Sequence, residues 1–103
     1  MQTHKAKRVE IIIEAPMERR LTEALIDADI TGFTVLPVQG GSGASGAWTR
    51  EGQVSRAGGM VAVICIVRED RLNRLLEAAF AIVERHIGVV CVTDCEVLRA
   101  ERF

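Results

Sequence analysis

Met60-Val61-Ala62-Val63-Ile64-Cys65-Ile66-Val67 is an unbroken apolar run, closed by the charged trio Arg68-Glu69-Asp70. Eight apolar residues bounded in this way read as a strand that is buried on both faces. Beyond it Leu72, Leu75, Leu76, Ala79, Phe80 and Val83 stripe a helix, Gly88 is placed to stop that helix, and Val89 to Leu98 form a further strand. The first half of the chain repeats the plan. Arg8 to Glu14 is a strand with Val9, Ile11 and Ile13 on one face. Pro16 opens a helix where its missing N–H costs nothing, and Met17, Leu21, Ala24, Leu25 and Ala28 follow at helical spacing. Gly32 is placed to end that helix in a left-handed turn. Phe33 to Val38 is the second strand, and Pro37 assigns it to a sheet edge or a bulge, because proline cannot donate to a ladder. A slide of 51 residues sets Arg20-Leu21 on Arg71-Leu72, Leu25 on Leu76 and Ala28 on Ala79.

A doubled β-α-β unit with right-handed crossovers predicts an α+β, ferredoxin-like β-α-β-β-α-β fold. It has a four-stranded antiparallel sheet in the order 4-1-3-2 and both helices on one face. The helices cover Val9, Ile11 and Ile13. Met60, Ala62, Ile64 and Ile66 then face the other way, beside Ile12. An apolar face of that kind needs a cover, and another copy of the chain supplies one, so a homo-oligomer is expected.

The 103 residues make one domain, 1–103, with a single core. A net charge of −1 removes the basic footprint of a nucleic-acid binder and the cationic face of a membrane-surface helix. The opening M-Q-T-H-K-A-K-R has no apolar h-region and no run reaches eighteen apolar residues, so neither a signal peptide nor a membrane span is read and a cytosolic location is expected. Cys91 and Cys95 are four apart on one strand, about 13 Å, too far for a disulfide. Cys65 lies two strand spacings from either, about 10 Å. All three cysteines are read as buried, reduced thiols.

Seven of the nine glycines lie between Gln39 and Gly59, in about twenty residues without an apolar period. Loops of that length inside a small domain usually carry function. Gly41 to Gly46 satisfies G-x-G-x-x-G, yet no helix opens there as a dinucleotide site requires, and no Gly-Lys-Ser/Thr follows. Either the small residues let backbone N–H groups converge on an anion, or the segment is a linker. Trp48, the sole tryptophan, either folds back or anchors a partner together with Arg50 and Arg56. Arg85 and His86 end the second helix, where cations suit the dipole, or they serve a bound phosphate. His4 reads as a solvated terminal residue. Arg99 and Arg102 form a solvated tail or reach a neighbour's ligand. Two distant histidines make no metal motif. Ser42, Ser45 and Ser55 have no nearby base, so no enzyme is expected. An RNA-recognition module would need aromatic residues on the central strands, and these strands have none.

From Arg8 to Arg102 the chain resembles the PII signal-transduction family. G-F-T-V-L-P-V-Q-G-G-S-G-A-S-G, residues 32–46, is similar to the family's G-M-T-V-x-E-V-K-G-F-G-x-x-x-G. The resemblance implies a trimer with its sheets packed inward, adenine nucleotides in the clefts between subunits, and a partner-docking T-loop over about 40–57. It sets Thr34 and Val35 against the adenine. Gly40, Gly41 and Ser42, with Gly58, fall at the T-loop base near the phosphates. The turn Arg85-His86-Ile87-Gly88 takes the place of the family's phosphate-binding B-loop, and Arg102 matches a C-terminal arginine that reaches in from the adjacent subunit; Arg99, in the same tail, is placed with the nucleotide-binding residues. Trp48, Arg50 and Arg56 become partner contacts.

The chain departs from the family pattern at several points. The B-loop motif T-G-x-x-G-D-G-K is missing, with Val89 near the place of its lysine, which implies ADP or AMP rather than ATP. Without tyrosine there is no tyrosyl uridylylation, and Pro37 and Gln39 replace the glutamate and lysine before the loop, which argues against 2-oxoglutarate. These losses resemble the carboxysome-associated branch. It implies bicarbonate as co-ligand, held by the N–H groups of Gly41, Ser42 and Gly43 with Arg102, and a bicarbonate transporter as partner. The alternatives are a trimeric metal-tolerance protein similar to the CutA group, with thiols and His86 at a metal, and a bare interaction module.

Overall fold

The computed structural model describes residues 1–43, 46–49, 59–99 and 101, with 43 and 46–49 described by backbone alone. In chain order the elements are β1 (His4–Glu14), a 3-10 turn (Ala15–Met17), α1 (Glu18–Asp27), β2 (Phe33–Val38), β3 (Gly40–Gly43), β4 (Gly46–Thr49), β5 (Met60–Val67), a second 3-10 turn (Glu69–Arg71), α2 (Leu72–Val83) and β6 (Gly88–Val97). The main sheet has the order β2-β5-β1-β6 with every pair antiparallel. This is the α+β, ferredoxin-like arrangement expected from the doubled pattern, with the apolar run as an inner strand and the Pro37 strand at an edge. Strand β1 starts at His4 rather than Arg8, because its ladder with β6 runs from Ile13↔Gly88 to His4↔Val97. The polar H-K-A-K segment has no apolar alternation to announce it. His4 itself is exposed.

Alternation within the strands decides what the helices cover. Val9, Ile11 and Ile13 of β1 and Val63 and Cys65 of β5 are fully buried against Leu21 and Leu25 of α1 and Leu75 and Ala79 of α2. At about 25 cal/mol per Å² of apolar surface removed from water, this layer is the main source of stability. Phe80 does not join it. Its side chain is 60% exposed, because α2 turns Leu75, Ala79 and Val83 inward and Phe80 sits on the outer flank.

Both helices end differently from the expectation. The left-handed residue after α1 is Asp29, φ 67°, and not Gly32. Asp29 N–H donates to Ile26 O at 2.9 Å and Ile30 N–H to Leu25 O at 2.8 Å, which is the paired bonding of a Schellman cap. Ile30, 2% exposed, closes the hydrophobic side of the cap, and Arg71 Nη1 fixes it from outside through Asp29 O (3.1 Å) and Oδ2 (3.2 Å). Aspartate tolerates the left-handed region better than most residues, so a glycine is not needed here. Helix α2 ends at Val83, leaving Arg85 and His86 in the following turn rather than in the helix. Gly88 does not cap it. It is the first residue of β6, and a Cβ there would meet Ile12 O and Val83 Cγ1 at 3.0 Å.

The glycine-rich segment is not wholly without regular structure: β3 and β4 pair antiparallel from Gly40↔Thr49 to Gly43↔Gly46. Among the described residues no helix is long and apolar enough to cross a membrane.

All three cysteines are free, but only Cys65 is buried; Cys91 is exposed and Cys95 partly so. Cys91 and Cys95 fall on the helix-free side of the edge strand β6, which neither helix covers. Burial pushes the Cys65 thiol up to about 11. At pH 8 only about one Cys65 in a thousand is then thiolate. A maleimide or disulfide reagent is expected to modify Cys65 only once the protein is unfolded with urea. Fast native-state labelling of Cys65, located by peptide mass mapping, would contradict its placement in the core.

Candidate functional site

On the helix-free face the registers place Leu36, Ala62, Ile12 and Val89 in one row across all four strands. Ala62 is buried, while Leu36 is 43% and Val89 60% exposed. The next row is Thr34, Ile64, Glu10 and Cys91, and beyond it stand Ile66, Arg8 and Thr93. Arg8 and Glu10 pair with each other at 3.3 Å, so this central strand offers no unpaired charge among those two. Four strands thus present an apolar band that neither helix covers.

The candidate residues separate to the two ends of the sheet. At the Phe33 end lies a cavity of about 530 Å³, lined by Gly32, Phe33, Thr34, Ile64, Ile66 and Arg71 among others. That size and mixed lining suit a small organic ligand. Thr34 lines it. The Val35 side chain instead lies on the helix side, against the core. At the Glu14 end stand Gly40, Gly41 and Ser42, directly after β2, and the Arg85-His86-Ile87-Gly88 turn leading into β6. Five register steps along β5, from Cys65 beside Phe33 to Met60 beside Glu14, about 17 Å, separate the two ends. Arg99 follows β6 at its far end, beyond the Val97↔His4 pair, and is held by Glu101 at 3.3 Å. Among the described residues, one chain therefore does not gather the candidates into one cleft.

Two residues that the sequence reading did not single out belong to these clusters. Arg71 lines the cavity while holding the Asp29 cap. Glu14, the last residue of β1, has its carboxylate in the Arg85–Gly88 turn: Ile87 N–H donates to Glu14 Oε1 at 2.8 Å, and His86 Nδ1 stands 3.6 Å from the same oxygen. No sequence signal marks this contact, since the partners are 73 residues apart. Arg71 was at least visible as the repeat of Arg20.

A second cleft of about 450 Å³ lies near the His4 end of β1, lined by Lys5, Lys7, Glu69, Asp94 and Glu96 among others. Lys7 Nζ donates to Asp94, and that hydrogen bond with its attraction raises the lysine and lowers the aspartate from their ordinary values. Arg50, Arg56, Gly58 and Arg102 lie outside the described residues, as do the side chain of Trp48 and all but the backbone of Gly43. Among the described residues no group of three or more His, Cys, Asp or Glu side chains is placed to hold a metal ion.

Compared with known proteins, residues 6–102 match the model of the family described as Nitrogen regulatory protein P-II. The chain belongs to the P-II family. No curated protein sequence matches this P-II chain. Among solved structures it is similar to CPII, a nitrogen regulatory PII-like protein from Thiomonas intermedia K12, bound to ADP, AMP and bicarbonate. The identity is 28% and the TM-score 0.89, over 99% of this chain and 96% of that one. CPII bound to ADP and bicarbonate is 30% identical with a TM-score of 0.83, covering 99% and 97% of the two chains. CPII bound to ADP, AMP and acetate is 27% identical with a TM-score of 0.77, covering 100% and 98%. The P-II chain thus has its nearly full-length likeness in proteins seen with an adenine nucleotide and a small carboxylate or carbonate anion.

Proposed function

We propose that this P-II chain is a non-catalytic signalling protein of the cytoplasm. It works as a homotrimer that binds ADP or AMP together with bicarbonate in the clefts between subunits. The observation that carries the reading is the separation of the candidate residues to opposite ends of the sheet. When the helix-free faces of three copies meet, the Thr34 cavity of one subunit comes beside the Gly40–Ser42 and Arg85–Gly88 segments of the next. The cavity accepts the adenosine part. Backbone N–H groups at the loop base and the cations of the turn and tail serve the phosphates, with Arg99 and Arg102 reaching across. Bicarbonate sits at Gly41, Ser42 and Gly43 beside Arg102.

The protein does not transform its ligands; it reports them. Ligand shifts the loop of about 40–57 between states, and the shift is limited to the difference in its affinity for those states. A tenfold change in their ratio takes about 1.4 kcal/mol. Trp48, Arg50 and Arg56 then contact the partner, a bicarbonate transporter, and the output is control of inorganic-carbon uptake in a carboxysome-bearing cell.

Isothermal titration decides the ligand. ADP is expected to bind at one site per subunit, and bicarbonate is expected to tighten it; by linkage ADP tightens bicarbonate by the same factor. Absence of heat with ADP and AMP, with and without bicarbonate, would overturn the reading. Tight uptake of copper or zinc instead would favour the metal-tolerance alternative.

A further inference from the structure

Glu14 is the residue before the 3-10 turn that leads into α1, yet its side chain makes no cap there. Its carboxylate reaches sideways to the turn between α2 and β6, where it takes the Ile87 N–H and lies beside His86. Its side chain is 28% exposed and that of His86 29%, so the contact is half-screened rather than freely solvated. A backbone N–H with an adjacent imidazole is a site for an anion, and here the anion is supplied by the chain. Arg85 is the other basic residue of this turn, and the structure pairs neither Arg85 nor any lysine with Glu14.

We infer that Glu14 determines how many phosphates the nucleotide can carry. This rests on the nucleotide reading above and adds a specificity residue to it. A phosphate chain approaching the Arg85–Gly88 turn meets a donor already engaged and a carboxylate of its own sign. The repulsion grows with each phosphate, because charge is added nearest to Glu14. AMP ends short of the turn, ADP meets it at its edge, and ATP would have to displace the carboxylate.

The test is titration of AMP, ADP and ATP into the wild-type protein, Glu14→Gln and Glu14→Ala. Glu14→Gln keeps an oxygen for Ile87 N–H and removes only the charge; Glu14→Ala frees the amide as well. Both are expected to tighten ATP by about tenfold while changing AMP by less than about twofold, with Glu14→Ala the stronger for ATP. Equal changes for all three nucleotides, or none, would overturn the inference and leave the nucleotide reading standing. If the wild-type protein and both variants bind no adenine nucleotide, the nucleotide reading falls and this inference with it. A merely structural role for Glu14 would move the melting temperature but not the ranking of the three ligands.

Discussion

A chain carrying Ile12→Lys is expected to sediment as a monomer with an unchanged far-UV spectrum and to lose ADP binding. Ile12 stands in the middle of the apolar row Leu36, Ala62, Ile12 and Val89, on the face that neither helix covers. It is only half-buried within one chain, so a lysine there can keep its ammonium in water while the chain is alone. Packed against a neighbouring sheet, the same ammonium would be desolvated without a partner, at a cost of several kcal/mol. Folding tolerates the change and assembly does not. Ile12→Val, which removes one methylene, is expected to stay assembled and to bind. A fully assembled Ile12→Lys protein that binds ADP as the wild type does would show that this face is not the interface.

The second large effect falls on the core. Leu25→Ala is expected to cost about 2–5 kcal/mol, because Leu25 is fully buried between the helices and the sheet and its loss leaves a cavity. Against a total of about 5–15 kcal/mol for a domain, that is enough to lower the urea midpoint far. Phe80→Ala removes a larger side chain, yet it is expected to change stability by no more than about 0.5 kcal/mol, since most of the ring is in water. The two are compared at equal protein concentration, because assembly adds to apparent stability. A Phe80→Ala protein less stable than Leu25→Ala would reverse the assignment of faces on α2.

The fold was legible because its two strongest signals are local and periodic. Met60 to Val67 is apolar on both faces, and the second β-α-β unit repeats the first at a spacing of 51. Where glycine alone suggested a helix end, the reading missed. The cap after α1 is made by Asp29 and held by Arg71, from the far half of the chain. Gly88 is required by its approach to Ile12 and Val83, a tertiary fact that no spacing in the sequence encodes. The apolar neighbours of Cys91 suggest burial, but it falls on the side of an edge strand that neither helix covers.

The candidate site was legible as a set of residues and not as a place. Thr34, Gly40–Ser42 and Arg85–Gly88 are where the fold puts loops and strand ends, but register sends them to two ends of the sheet. The resemblance sets Val35 with Thr34 against the adenine, while alternation along the strand turns the Val35 side chain to the core. Glu14 could not be found at all, because what gives it meaning is a bond to an N–H 73 residues away.

Sedimentation velocity of the wild-type protein over a hundredfold range of concentration is the most direct trial of shared, intersubunit sites. The mass of three chains, holding through dilution and with ADP present, is the predicted result. A single-chain mass throughout, with Leu36, Ile12 and Val89 left in water, would contradict it.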